Sequence, residues 1–179
     1  MAASASLALT AAIMGTEEPE RKANLDKSLA SILPFLEGAD LVALVEPLGF
    51  QRSSLRYKVE LVDAINALGA AHRYKLVHDT FHHALAGGGP IFADHTGIVH
   101  ISAVVDPVLK LDQMEDEHRV LVDSADRLDN VGQIRTLLAA GYTGPISYEC
   151  FSPLVQDIAR PLSAIKTSFD FIDAALKAN

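Results

Sequence analysis

Residues 74–82, Tyr-Lys-Leu-Val-His-Asp-Thr-Phe-His, carry a short apolar strand directly into the start of a helix. The pattern predicts a strand over residues 74–77, closed by a carboxylate at Asp79. A helical turn is predicted over residues 80–86, and the glycines and proline at 87–90 end it. A buried strand that passes into a helix in this way is typical of α/β proteins.

The same alternation continues on both sides of this segment. Strands are predicted over residues 41–45, 98–102 and 146–151, and a fifth strand is an open alternative near residues 7–13. Helices are predicted over residues 17–37, 58–68 and 130–140, followed by one or two closing helices over residues 154–177. Strands that alternate with helices favour a parallel sheet with helices packed on it.

The composition favours one globular domain over residues 1–179. Hydrophobic residues make up 49% of the chain and charged residues 21%, so a core is expected and disorder is not. The net charge of -8 disfavours non-specific binding to nucleic acid.

No segment is long and apolar enough to cross a bilayer, and residues 1–16 lack the basic start of a signal peptide. The single cysteine, Cys150, is interpreted as a buried strand thiol in a reducing cytoplasm.

Each predicted strand ends at or near a side chain that can bind a metal. These residues are Glu46, Asp79, His100 and Glu149. In a parallel sheet the carboxyl ends of the strands lie on one face, so three carboxylates and one imidazole are expected to meet there. Taken alone, Asp79 could be a helix cap, Glu46 a loop carboxylate and His100 a core histidine. A lone buried carboxylate at Glu149 would be costly, and the joint pattern favours one shared site.

The ligand types narrow the choice of metal. Two glutamates, one aspartate and one histidine form a mainly oxygen-donating site, which suits one divalent cation of Mn, Mg or Co, with Zn also compatible. A thiolate zinc site is excluded because the chain has one cysteine.

Four short motifs resemble the xylose isomerase-like TIM-barrel superfamily of sugar isomerases and epimerases. They are Val45-Glu46-Pro47, His78-Asp79-Thr80-Phe81-His82, Ile98-Val99-His100-Ile101 and Ser147-Tyr148-Glu149. Among its branches the resemblance is closest to 2-keto-myo-inositol isomerase, through the Asp-x-Phe-His motif and an Asp-Glu-x-Arg motif at 116–119. It covers residues 17–175 and corresponds to the C-terminal half of the family's (β/α)8 barrel, so the fold expected is a half barrel of about four parallel strands with flanking helices.

The resemblance implies a role for each motif residue. Glu46, Asp79, His100 and Glu149 would hold one divalent cation, and Glu46 or Glu149 would also carry a proton between substrate carbons through an enediolate. His82 and Arg119 would bind the substrate, although a surface or capping histidine and a solvated loop arginine are the alternatives. The implied activity is isomerisation or epimerisation of a small sugar or an inositol-derived ketose.

The length departs from the family, whose barrels contain eight strands. Four parallel strands would leave apolar faces and two open edges, so we expect a homo-oligomer or association with another chain. A half barrel that binds a metal or a partner without catalysis is one alternative. An endonuclease IV-like nuclease is another, weakly suggested by Asp116-Glu117-His118, but the acidic charge argues against it.

Overall fold

A sheet of four parallel strands forms the centre of the computed structural model, which describes residues 18–178. Its strands are β1 (Ala43–Val45), β2 (Tyr74–Asp79), β3 (Thr96–Ile101) and β4 (Ile146–Tyr148). They lie in the order β1-β2-β3-β4, and each neighbouring pair is parallel. The predicted α/β half barrel of four parallel strands is therefore confirmed. The strand considered near residues 7–13 lies outside the described residues.

Helices follow the strands as the sequence pattern predicts. They are α1 (Glu18–Ala39), α2 (Lys58–Leu68), α3 (Thr80–Leu85), α4 (Asn130–Ala139), α5 (Pro153–Gln156) and α6 (Pro161–Lys177). Short 3-10 turns occupy Ala93–His95, Leu111–Gln113 and Asp116–His118. Helix α1 runs to Ala39, and Asp40 then adopts a φ of 52°. Gly69 ends α2 with a φ of 67°, which glycine adopts without strain.

The apolar core lies between the sheet and its helices. Leu61 and Ile65 of α2 pack with Leu76 of β2, and none of the three is exposed to solvent. A second cluster joins Val99 and Ile101 of β3 to α4 and α6. Alternation along each strand therefore directs Glu46, Asp79, His100 and Glu149 to the opposite face.

A register shift in the sheet sets the relative height of two candidate ligands. The pairing between β2 and β3 slips between Leu76 and Val77, and beyond it Asp79 lies opposite His100. Gly97 stands at this irregularity, where an added Cβ would lie 2.6 Å from Cδ2 of Leu44. The bulge thus aligns an aspartate and a histidine at the carboxyl end of the sheet.

Several predicted boundaries need correction. Strand β2 extends through Asp79, and β1 starts at Ala43 and not at residue 41. Strand β4 ends at Tyr148, so the interpretation of Cys150 as a buried strand thiol is wrong: it follows the strand and is half-buried. Burial raises the pKa of the Cys150 thiol to about 11. Among residues 18–178, no helix combines the length and apolar character needed to cross a membrane.

Candidate metal centre

Four side chains that are far apart in sequence converge at the carboxyl ends of the strands. Glu46, Asp79, His100 and Glu149 each offer one ligand atom, and these atoms all lie within 4.8 Å of one another. Glu46 follows β1, Asp79 ends β2, His100 lies in β3, and Glu149 follows β4. The parallel order of the strands is what brings them to one point.

The donor set fits a divalent cation. Metal–ligand bonds of roughly 2.1–2.4 Å put opposite ligands about 4.2–4.8 Å apart, the spread that this cluster has. Nδ1 of His100 lies 3.4 Å from Glu149 Oε1 and 3.9 Å from Glu46 Oε2. Oε1 of Glu46 and Nδ1 of His100 are buried and have no hydrogen-bond partner. Buried polar atoms without a partner are costly, and a cation would satisfy both.

Arg119 is buried among these carboxylates. Its Nη2 donates to Asp79 Oδ2 at 2.5 Å and to Glu149 Oε2 at 3.0 Å, while Nε donates to Ser102 Oγ at 2.9 Å. The ring of Phe81 lies 4.9 Å from the guanidinium carbon. The alternative that Arg119 is a solvated loop arginine is therefore wrong, because none of its surface is exposed.

His82 lies beside the cluster on the first turn of α3. Its Nε2 is 4.0 Å from Glu46 Oε1, and its buried Nδ1 has no partner. The rings of Phe50 and Phe81 meet the imidazole edge-on at 5.1 and 5.2 Å. The surface alternative for His82 is wrong, since only 4% of the residue is exposed. Burial and the charge of Arg119 lower the pKa of His82 to about 4, so the imidazole is neutral.

Asp79 is both a helix cap and a member of the cluster. Its Oδ1 accepts the backbone N–H of His82 at 2.9 Å, which caps α3, while Oδ2 accepts from Arg119. The two interpretations that the sequence left open for this residue are therefore compatible. A carboxylate held on both oxygens has a fixed orientation toward the shared point.

The carboxylates differ in acidity because their surroundings differ. Burial, with the charges of Asp79 and Glu149, raises the pKa of Glu46 to about 9. Burial also raises the pKa of Asp79 to about 6, although Arg119 opposes it. Burial alone would raise the pKa of Glu149, but nearby His100 and Arg119 outweigh it and lower that pKa to about 2. The cluster therefore has too little positive charge for its carboxylates, which a divalent cation would correct.

A layer of polar residues behind the cluster was not found from the sequence. Thr80 donates to Asn130 Oδ1 at 2.6 Å, and the Asn130 amide donates to the Ser102 carbonyl at 2.8 Å. Ser102 in turn accepts from Arg119, so α4 supports the arginine through two buried steps. The sequence marked Asn130 only as a helix start, and nothing local indicated that it contacts the start of α3 and the residue after β3.

The comparisons with known proteins assign the family. A family model described as the xylose isomerase-like TIM barrel matches residues 6–175. The chain belongs to this family. The resemblance of the motifs to this superfamily is thereby confirmed. A search of the curated proteins gives no significant match.

Solved structures similar to this xylose isomerase-like chain agree with its fold. A xylose isomerase domain containing protein from Salmonella typhimurium LT2 is 26% identical, with a TM-score of 0.76 over 97% of this chain and 62% of that one. The IolI protein with a bound zinc atom is 18% identical, with a TM-score of 0.78 over 96% and 62%. A D-psicose 3-epimerase from Clostridium cellulolyticum H10 is 16% identical, with a TM-score of 0.61 over 90% and 58%. The chain thus spans less than two thirds of the length of these structures.

Proposed function

We propose that this chain provides the metal centre of a divalent-metal-dependent isomerase or epimerase that acts on a small ketose or inosose. The observation that carries the proposal is the convergence of Glu46, Asp79, His100 and Glu149 within 4.8 Å. Family membership supports the enzyme class, and three of the structural neighbours are named as sugar epimerases. The IolI structure contains a bound zinc atom, which supports a metal in this fold, and Mn, Mg, Co and Zn are all compatible with the ligands.

When bound, the cation would polarise a substrate carbonyl and its neighbouring hydroxyl. Glu46 and Glu149 approach His100 from two sides, with Oε2 and Oε1 at 3.9 and 3.4 Å from its Nδ1. We infer that one glutamate takes a proton from the carbon beside the carbonyl and that the other returns one, which passes the substrate through an enediolate. The glutamates suit this role because each has one oxygen that can remain free of the cation.

His82 and Arg119 are the proposed substrate-binding residues. The neutral imidazole of His82 keeps Nδ1 available, so it can exchange a hydrogen bond with a substrate hydroxyl. Arg119 already donates to Asp79 and Glu149, and a substrate oxygen would share this guanidinium. Arg119 therefore fixes the carboxylates as well as any oxygen bound beside them.

Metal content and proton exchange test the proposal together. We expect the protein to bind about one equivalent of Mn²⁺ or Zn²⁺ by calorimetry. Glu149→Gln should lose more than about 100-fold in metal affinity, which exceeds the roughly 10–100-fold effect of a residue outside the ligand sphere. Glu117→Gln is the matched control, because Glu117 is 75% exposed and lies outside the cluster.

The second measurement follows carbon-bound protons of ketoses and inososes in D₂O by NMR. Loss of the proton beside the carbonyl, only in the metal-loaded protein, is the expected result. Metal binding without exchange for any substrate would instead support the non-catalytic half barrel. Absence of stoichiometric metal binding would overturn the proposal. The expected association with another chain, which would cover the edges of β1 and β4, is tested by sedimentation, and a monomer would contradict it.

A further inference from the structure

A cavity of about 250 Å³ lies between the start of α2, helix α3 and the glycine loop that follows α3. Its wall includes Arg56, Lys58, His83 and Gly88. Asp79 also lines it, so the cavity adjoins the metal centre, but neither Lys58 nor Arg56 belongs to the metal cluster. A cavity of this volume admits a small molecule or an acidic group of a larger one.

Lys58 is held by hydrogen bonds that define its role as a donor. Its Nζ lies 2.9 Å from Nδ1 of His78, and Nε2 of the same ring lies 3.0 Å from Gln133 Oε1. The Gln133 amide nitrogen donates to the carbonyls of Thr80 and Leu128, which fixes its oxygen as the acceptor. Nε2 of His78 therefore carries the hydrogen, and Nδ1 accepts from Lys58. The ammonium group of Lys58 uses one N–H bond on His78, so its other N–H bonds can donate to a ligand.

The cationic side of the cavity lacks a counter-ion. Among the described residues, no carboxylate oxygen lies within 4.0 Å of the charged nitrogens of Lys58 or Arg56. Arg56 donates instead to the neutral carbonyls of Gly49 and Leu85, at 2.9 and 3.0 Å. Burial lowers the pKa of Lys58 to about 7, although the negative charge of Asp79 acts to raise it. A partly buried cation that has only neutral hydrogen-bond partners is stabilised when an anion binds beside it.

The cavity wall also includes an uncharged histidine and the backbone of the glycine loop. Nδ1 of His83 is buried and has no hydrogen-bond partner, and its ring lies 5.0 Å from that of His78. Burial and Lys58 lower the pKa of His83 to about 4, so its ring is neutral and can present an N–H. Cβ atoms added at Gly88 and Gly89 would meet no atom within 4 Å, which leaves this backbone accessible.

We propose that this cavity binds a small oxyanion, either a carboxylate or a phosphate, through the side chains of Lys58, Arg56 and His83. None of these three side chains is a proposed metal ligand, although Asp79 also lines the cavity, and anion binding there does not require the cation. The titratable and charged groups near Lys58 are His78 of β2, His83 of α3 and Asp79, together with Arg56 in the preceding loop.

Sulfate is a suitable probe because its own charge does not change between pH 6 and pH 9. Titration of the metal-free full chain at constant ionic strength should show saturable binding at pH 6.5. Because bound sulfate requires the charged form of Lys58, affinity should fall by roughly 25-fold between pH 6.5 and pH 8.5. Lys58→Met should lose at least tenfold in affinity at pH 6.5. Lys166→Met, which removes an exposed lysine paired with Asp170, is the control and should bind as the unaltered protein does.

A measurement on the unaltered protein guards against misfolding of the variant. NMR of ¹³Cε-labelled lysine should show one lysine that titrates near pH 7 and shifts to higher pH when sulfate is added. Absence of saturable sulfate binding, unchanged binding in Lys58→Met, or a lysine titration that sulfate does not move would each overturn the proposal. Since no metal is present, these results are independent of the proposed isomerase activity.

Competition identifies the source of the anion. If sulfate displaces a ketose phosphate from the metal-loaded protein but does not displace the unphosphorylated ketose, the cavity holds the acidic group of a substrate. If sulfate binds with the same affinity whether or not the ketose phosphate is present, the cavity holds a free anion. Both results uphold the site, and they differ in which molecule fills it.

Discussion

The guanidinium of Arg119 lies 2.5 Å from the carboxylate of Asp79, and both side chains are buried at the carboxyl end of the sheet. The same Nη2 atom reaches Glu149 at 3.0 Å. Arg119 therefore supplies positive charge at the point where three carboxylates converge. A divalent cation at the cluster would share this task, so the contribution of Arg119 to stability should depend on the metal.

Replacement of Arg119 by methionine should destabilise the metal-free protein by about 3–5 kcal/mol, because Asp79 becomes a buried charge without its partner. The loss should be smaller with saturating Mn²⁺, since the cation compensates the same carboxylate. Urea denaturation with and without the metal measures both values. Arg135→Met, which removes an exposed arginine, is the control. Equal stability of the two variants would contradict the role of Arg119.

Metal affinity should rise with pH across the neutral range. The pKa of Glu46 is raised to about 9, so its carboxyl is protonated at pH 7 in the metal-free protein. The cation must displace this proton, and affinity should increase by up to about tenfold per pH unit between pH 7 and pH 9. Calorimetry in buffers of different ionisation enthalpy measures the released proton. A constant affinity from pH 7 to pH 9 would count against Glu46 as a ligand.

Removal of Lys58 should stabilise the protein below pH 7. Because burial lowers the pKa of this amine to about 7 in the folded state, the charged form is disfavoured there. The charged amine lowers the free energy of unfolding by its full amount below pH 7, where Lys58 is charged in both the folded and the unfolded state. This destabilisation disappears as the pH rises toward 10.5, the ordinary pKa of a lysine amine. The stability difference between Lys58→Met and the unaltered protein should therefore change by ~2 kcal/mol or more between pH 6 and pH 10. A difference that is independent of pH, measured by urea denaturation, would refute this.

Gly49 should not tolerate a side chain. A Cβ at this position would lie 2.1 Å from the carbonyl oxygen of His82, so the loop after β1 must move. Gly49→Ala should destabilise the protein by about 1–3 kcal/mol and weaken metal binding, because Glu46 belongs to that loop. Gly38→Ala is the matched control. That position in α1 has open space, and alanine favours a helix by about 1 kcal/mol. Similar melting temperatures for the two variants would contradict the expected clash.

Local pattern accounted for the elements that carry the centre. Residues 58–68 were predicted as a helix and are α2. The strands before Glu46, Asp79, His100 and Glu149 are all present and parallel. These predictions succeeded because a buried strand is a short apolar run and an exposed helix has apolar residues at every third or fourth position. The bounds of all four strands were less accurate, since pairing with neighbouring strands decides where a strand begins and ends.

The sequence by itself determined the order of strands and helices and the residue at the end of each strand, because hydrophobic periodicity and the rules of parallel sheets are local properties. Only the tertiary structure decided that Arg119 is buried against Asp79, 40 residues away, and that Lys58 meets His78 at the edge of a cavity. Those contacts depend on how separate segments pack and on the desolvation of charge between them. Neither contact produces a periodic pattern in the amino-acid sequence.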